Sequence, residues 1–280
     1  MNPDRYAFEQ AIALRDDWQF SRIFASETAR PGFTALLALR TELQNVVRQA
    51  SEPGIAAMRF EWWRMEIARG FAGNAQHPLA RALGKSLGEA NVAPEYCLEL
   101  VDAAETESEN NVFTEQDFRL YLYRGGGVLG EQLAMLSGIN DRNALNAARR
   151  LGQLKRFTDM LLACGAMLRA GHWLFPFEWL EQSSLNPQAV LADPENENVH
   201  ALLAKLLAVL DTERIETRTV MESVVLPPAL QLQWPLMQRD YRRLRDNPAV
   251  MLASKAVKDG GIARLWTAWR GARTASKNFS

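Results

Sequence analysis

The sequence predicts an all-α fold, and three observations carry that prediction. Apolar residues recur three and four positions apart along most of the chain. The period-two alternation of Val, Ile and Thr expected of strands is almost absent. The breaks between periodic stretches are short and marked by proline, glycine and capping residues.

Taken in order, YAFEQAIALRDDWQFSRIF reads as a first helix. A break around Arg30-Pro31-Gly32 precedes a second, LLALRTELQNVVRQASE, with Leu36, Leu39, Leu43, Val46, Val47 and Ala50 on one apolar face. Ser51 is a candidate N-cap, and Pro53 suits the first turn of a third helix, IAAMRFEWWRMEIARGF. His77-Pro78 opens a fourth and Pro94 a fifth. TEQDFRLYLYRGGGVLGEQLAMLSG is a sixth, and Asp141 caps a long seventh that runs to about Ala170. WLFPFEWL is a connector with a short helical piece. A long helix, NVHALLAKLLAVLDTERIETRTVMESV, ends before Pro227-Pro228. A further helical region reaches Leu244, and a last helix fills residues 262–273. The short interruptions favour one domain over residues 1–280.

The chain has 280 residues, 48% of them hydrophobic, which is enough for a sizeable core. A formal net charge of -1 gives no overall electrostatic reason to expect nucleic acid. Cys97 and Cys164 belong to no CxxC, so neither a disulfide framework nor a zinc site is supported. The start, MNPDRYAFEQ, is polar, and no apolar run approaches the ~18 residues of a membrane span. The expected location is cytoplasmic, with peripheral attachment to the inner face of the membrane left open.

Several local patterns carry candidate chemistry. Gly125, Gly127 and Gly130 satisfy G-x-G-x-x-G, but that fingerprint needs a preceding strand and a following acid, and neither is present. Glycines inside a helix cost about 1 kcal/mol each. They therefore imply close approach by a packed helix or a long ligand. Between Ser86 and Phe118 there are nine acids and no Lys or Arg; Glu99, Asp102, Glu105 and Glu109 share helical spacing. Such carboxylates suit divalent metals, and a solvated acidic face is the preferred reading. His77, His172 and His200 are scattered and fit no catalytic spacing. From Lys255 to Ser280 there are six basic residues and one acid, with Ile262, Leu265, Trp266 and Trp269 on one face. That helix suits an anionic membrane surface through Trp266, Trp269 and Arg270, or a protein groove, or its own core. In the second helix, Arg40, Gln44 and Arg48 form a polar line that faces either water or the wall of a site.

Several stretches together resemble the squalene/phytoene synthase family. Glu42-Leu43, Ser51-Glu52-Pro53 and Met58-Arg59-Phe60-Glu61-Trp62-Trp63-Arg64 resemble a branch that includes the mitochondrial complex I assembly factor and its bacterial relatives. YLYRGGGVLG is similar to the family's tyrosine-and-small-residue helix, GHWLFP to its Gly-Arg-x-Tyr-Leu-Pro segment, and ARLWTAWRGAR to a C-terminal helix of the branch. The resemblance implies an isoprenoid synthase fold, with helices around a central cavity lined by Tyr123, Gly126, Gly127 and Gly130. Active members join two prenyl diphosphates using two helices with acids at i, i+4. Mg²⁺ bridges those acids to diphosphate oxygens.

Carried onto this chain, the first acid pair falls on Gln44 and Arg48, with Asn45 beside it, and the second on Ala163 and Met167. All four spaced carboxylates are absent, so no cofactor is expected, and Mg²⁺ only if transferase activity survives. The resemblance then implies a non-catalytic protein that binds an isoprenoid or lipid ligand or a protein partner, and that assists respiratory complex I. The alternative is a divergent prenyl-diphosphate-using transferase in isoprenoid biosynthesis, with Arg40 and Arg48 holding the diphosphate.

Overall fold

The computed structural model describes residues 2–13, 16–49, 53–110, 112, 114–255 and 261–279. In chain order the helices are α1 (Pro3–Ala13), α2 (Trp18–Phe24), α3 (Arg30–Gln49), α4 (Pro53–Phe71) and α5 (Pro78–Glu89). They continue as α6 (Glu95–Glu109), α7 (Glu115–Leu122), α8 (Val128–Leu136), α9 (Arg142–Arg169) and α10 (Phe177–Gln182). The last are α11 (Pro187–Ala192), α12 (Glu197–Glu222), α13 (Pro228–Gln231), α14 (Gln233–Asp246) and α15 (Gly261–Phe279). A π-helical turn, Tyr123–Gly127, joins α7 to α8, and a 3₁₀ turn, Pro248–Leu252, follows α14. No strand occurs among the described residues.

The long α9 is the axis of the molecule. Asp141 caps it, accepting the Ala144 N–H at 2.8 Å. Its first half, through Ala144, Ala147, Ala148 and Leu151, packs into a core shared with α1, α3, α4, α5, α6 and α8. Its second half, through Phe157, Met160, Leu161 and Leu168, packs with α7, α10, α12 and α14. Each fully buried Leu or Phe here contributes about 1.5–3 kcal/mol. A third, small cluster sets Ala268 and Ala272 of α15 against Leu232 and Leu236, beside Phe20 and Phe24.

Three expectations need correction. The first helix is broken in two: Asp16 leaves the helical path and its Oδ1 accepts the Trp18 N–H at 3.2 Å. The break turns Asp16 and Asp17 inward, where buried cations meet them. Pro31 and Gly32 do not interrupt α3 but sit in its first turn, where proline sacrifices no helical hydrogen bond. The actual gap lies just before, at 25–29. The last helix is also longer than 262–273. Ser51, the candidate N-cap, lies outside the described residues.

Candidate functional site

The polar line on α3 divides between interior and water. Arg40 is buried and pairs with Asp16 at 3.1 Å, reaching also toward the Gly125 carbonyl at 3.5 Å. Gln44 is half-buried beside the centre of the bundle. Asn45 is half-buried, and its Oδ1 accepts from the Arg48 guanidinium at 2.8 Å. Arg48 itself is exposed. Two helical turns separate the two arginines, about 12 Å along the axis. The fold therefore does not bring Arg40 and Arg48 together as a phosphate clamp, and the nearer one is already held by a carboxylate.

A small, partly open space lies between α3, α6 and α9. Gln44, Leu43, Val47, Tyr121, Gly125 and Arg156 are among the residues around a space of about 40 Å³. Arg156 closes it from α9: its guanidinium donates to Glu107 at 2.7 Å and to the Tyr121 hydroxyl, and lies 5.2 Å from the Tyr121 ring centroid. Ala163 and Met167, about two and three turns further on, are half-buried, and Met167 packs against the second core. Tyr123 carries Arg149 at 6.0 Å from its ring.

The glycines expected to line the cavity face α9 instead. A Cβ on Gly126 would collide with the Gly152 carbonyl, and one on Gly130 with the Ala148 carbonyl. A Cβ on Gly127 would meet Gln153 and Arg149 side chains. Close helix approach accounts for this run, and the π turn falls where helix propensity is lowest. Of the glycines in this run, Gly125 is the one at the central space.

Beside that space lies a buried ion network that single-sequence reasoning missed. Lys155 on α9 is fully buried, 3.6 Å from Asp16 and 3.4 Å from Asp17, and bonded to Asp159. Burial alone would push its ammonium pKa down, but Asp159, Asp16 and Asp17 reverse this and hold it above the ordinary lysine value. Arg264 of α15 forks onto Asp17 at 2.7 Å and onto both oxygens of Asp240 at 2.7 Å. Among the described residues the network joins Arg40, Lys155 and Arg264 to Asp16, Asp17, Asp159 and Asp240, and it ties α2, α3, α9, α14 and α15 together. The available signal was slight: Lys155 and Asp159 at i, i+4 within an otherwise apolar helix face, and two acids before Trp18.

The Mg²⁺ that active members would use does not fit these residues. Its expected ligand positions on α3 and α9 carry an amide, a guanidinium, a methyl group and a thioether. Asp17, Asp159 and Asp240 do approach within 4.8 Å of one another. Arg264 and Lys155 already pair with them, so a divalent ion there would have to displace buried cations.

The acidic stretch is only partly solvated: Glu89, Glu95 and Glu109 are exposed, and Glu99, Asp102 and Glu105 are paired. Glu99 pairs with Arg124 at 2.7 Å, and Asp102 pairs with Arg64 at 2.7 Å and Arg124 at 3.4 Å. Glu105 also binds Arg64. These acids fasten α6 to α4 and to the π turn. His77 lies among Tyr6, Trp62 and Trp63, with ring centroids 5.0–5.5 Å away. Burial lowers its pKa. Cys97 and Cys164 are buried and form no disulfide; burial pushes each thiol up to about 12. In α15, Arg264, Ala268 and Ala272 face inward, while Ile262, Leu265, Trp266 and Trp269 remain exposed. The helix thus docks on the core by one face and offers its tryptophans on another. No helix is long and apolar enough to cross a membrane among the described residues.

Comparison with known proteins agrees with this architecture. The crystal structure of squalene synthase HpnC from Alicyclobacillus acidocaldarius superposes with a TM-score of 0.75 at 18% identity, covering 87% of this chain and 93% of that one. A dehydrosqualene synthase in complex with ligand gives 0.74 at 12% identity, over 99% and 96%. These likenesses show the isoprenoid synthase fold. Among curated sequences, 15-cis-phytoene synthase of Pantoea ananas is 26% identical over 57% of this chain and 52% of its own length. NADH dehydrogenase (ubiquinone) complex I, assembly factor 6 of Rattus norvegicus is 23% identical over 70% of this chain and 60% of its own. The matches span roughly half to three fifths of those relatives. The Squalene/phytoene synthase profile matches residues 20–258. The chain therefore belongs to the squalene/phytoene synthase family.

Proposed function

We propose that this chain is a non-catalytic member of its family, a helical partner-binding protein that assists the maturation of respiratory complex I. The observation that carries the proposal is how little room remains beside the expected acid positions. About 40 Å³ is open where α3 and α9 meet around Gln44 and Arg156. A small-molecule pocket usually encloses about 300–1,000 Å³. Two prenyl diphosphates do not enter without dismantling the Arg156–Glu107–Tyr121 and Arg40–Asp16 pairs. Likeness to assembly factor 6 over 70% of the chain supports the choice of complex I. Likeness to phytoene synthases supports the alternative, a divergent transferase, but that reading needs a phosphate clamp that Arg40 and Arg48 do not form.

Deleting the gene in its own organism tests the proposal. Complex I abundance on native gels and NADH:quinone activity should fall, isoprenoid lipids should stay unchanged, and the wild-type gene should restore the complex. Normal complex I with an altered isoprenoid profile would overturn it.

A further inference from the structure

The seam between α12 and α14 holds two unlike compartments, neither of them part of the central space. The first is a groove of about 990 Å³ between α12, α14 and α15. Five arginines line it, Arg214, Arg218, Arg239, Arg242 and Arg270, against one acid, Glu222. Arg218 pairs with Glu222 at 2.7 Å. Arg242 and Arg270 form no ion pair among the described residues. The Gln238 amide also lines the groove, and its buried Nε2 has no hydrogen-bond partner there. Trp266 forms part of the rim. The guanidinium groups of Arg242 and Arg270, left without carboxylates among the described residues, favour phosphate oxygens.

The second compartment, of about 570 Å³, continues along the same two helices. Its walls are largely apolar: Leu203, Ala204, Leu207, Ala208, Pro248 and Leu252. The small side chains of Ala204 and Ala208 leave room along α12. Between the compartments stands one bridge. Arg214 pairs with Asp211 at 2.7 Å and lies 4.4 Å over the Tyr241 ring, whose hydroxyl donates to Asp211 at 2.7 Å. From Leu203 to Arg218 the helix runs 15 residues, roughly 22 Å, a length on the scale of one phospholipid.

We propose that this seam binds a single anionic phospholipid, its phosphate among Arg218, Arg242 and Arg270 and its acyl chain along Leu203, Leu207 and Leu252. An arginine-lined groove alone would serve an acidic peptide equally well. The adjoining apolar compartment is what favours an amphiphile. The exposed Trp266 and Trp269, stacked with centroids 5.1 Å apart beside the groove, suit the headgroup layer from which such a lipid enters. The proposal stands apart from the complex I reading, since the seam lies outside the family's central space.

The test uses the full chain, vesicles of phosphatidylcholine with or without phosphatidylglycerol, and native mass spectrometry. Wild type should float only with the anionic vesicles and retain one phosphatidylglycerol. Each arginine near an anionic surface is worth about 1 kcal/mol, so Arg242→Ala with Arg270→Ala should weaken vesicle affinity about 30-fold. Ala208→Phe, or Ala204→Phe as a second filling variant, should abolish the retained lipid while leaving thermal unfolding unchanged; both positions are exposed. Equal flotation with phosphatidylcholine alone would overturn the proposal. So would lipid retention unaffected by both fillings, with displacement by inorganic phosphate, which would mark a soluble-anion site. Capture of polyglutamate with no vesicle binding would mark an acidic protein partner and overturn it too.

Discussion

Replacing Arg264 with methionine should detach the C-terminal helix and cost a large share of the stability. Arg264 is 3% exposed and makes charge-assisted hydrogen bonds to Asp17 and Asp240. Methionine fills similar length but removes the guanidinium that Asp17 and Asp240 share. Removing one partner of a buried pair costs about 3–5 kcal/mol, because the remaining charge stays desolvated. The rest of the docking face of α15 is small, with Ala268 and Ala272 against Leu232 and Leu236. It cannot hold the helix alone: burying an alanine methyl contributes only about 0.8 kcal/mol. At about 2–4 °C per kcal/mol for a chain near this size, Tm should fall by roughly 10 °C. Scanning calorimetry reads the Tm, and hydrogen exchange should show amides of 261–279 losing protection before those of α9. A Tm change within a degree, with α15 still protected, would refute the assignment of Arg264 as the tie.

Three further outcomes follow from the same structure. Gly130→Ala should lower Tm, with a cost of about 1–3 kcal/mol from overpacking, because its Cβ would meet the Ala148 carbonyl; an unchanged Tm would mean that α8 and α9 do not approach so closely. His77 has a folded pKa below the ordinary value of about 6.5, lowered by burial, so the unfolded chain binds the extra proton and stability is lost as pH falls from about 6.5 through that depressed value. His77→Phe should flatten Tm across that window, and a profile identical to wild type would remove His77 as its cause. Trp266→Ala with Trp269→Ala should weaken sedimentation with anionic liposomes, whereas equal sedimentation would take the exposed face of α15 out of the account.

The fold was legible because its signal is repeated: apolar periodicity along α3, α4, α9 and α12, with proline or a capping residue opening α4, α5, α6 and α9. The break between α1 and α2 was not legible, since WQFSRIF continues the helical spacing and only the tertiary cations explain why Asp16 and Asp17 turn inward. The Arg40–Gln44–Arg48 line was visible as a stripe, yet its division between interior and water depends on Asp16, 24 residues earlier. The acids of α6 looked solvated because Arg64 and Arg124, which neutralise them, lie on other elements. Pairing across such separations leaves no local pattern. The glycines were recognised as a place of close approach, but spacing alone does not tell a helix from a ligand. The tail was read as either docked or exposed, and α15 is both, on different faces.

The central claim is that this chain keeps the family's fold without its chemistry. The most direct measurement is incubation of the purified full chain with labelled farnesyl or geranylgeranyl diphosphate and Mg²⁺, followed by analysis of the apolar products. The account predicts no squalene, dehydrosqualene or phytoene and no release of diphosphate above the protein-free control. Accumulation of any of those products, abolished by Arg40→Ala or Gln44→Ala, would contradict it.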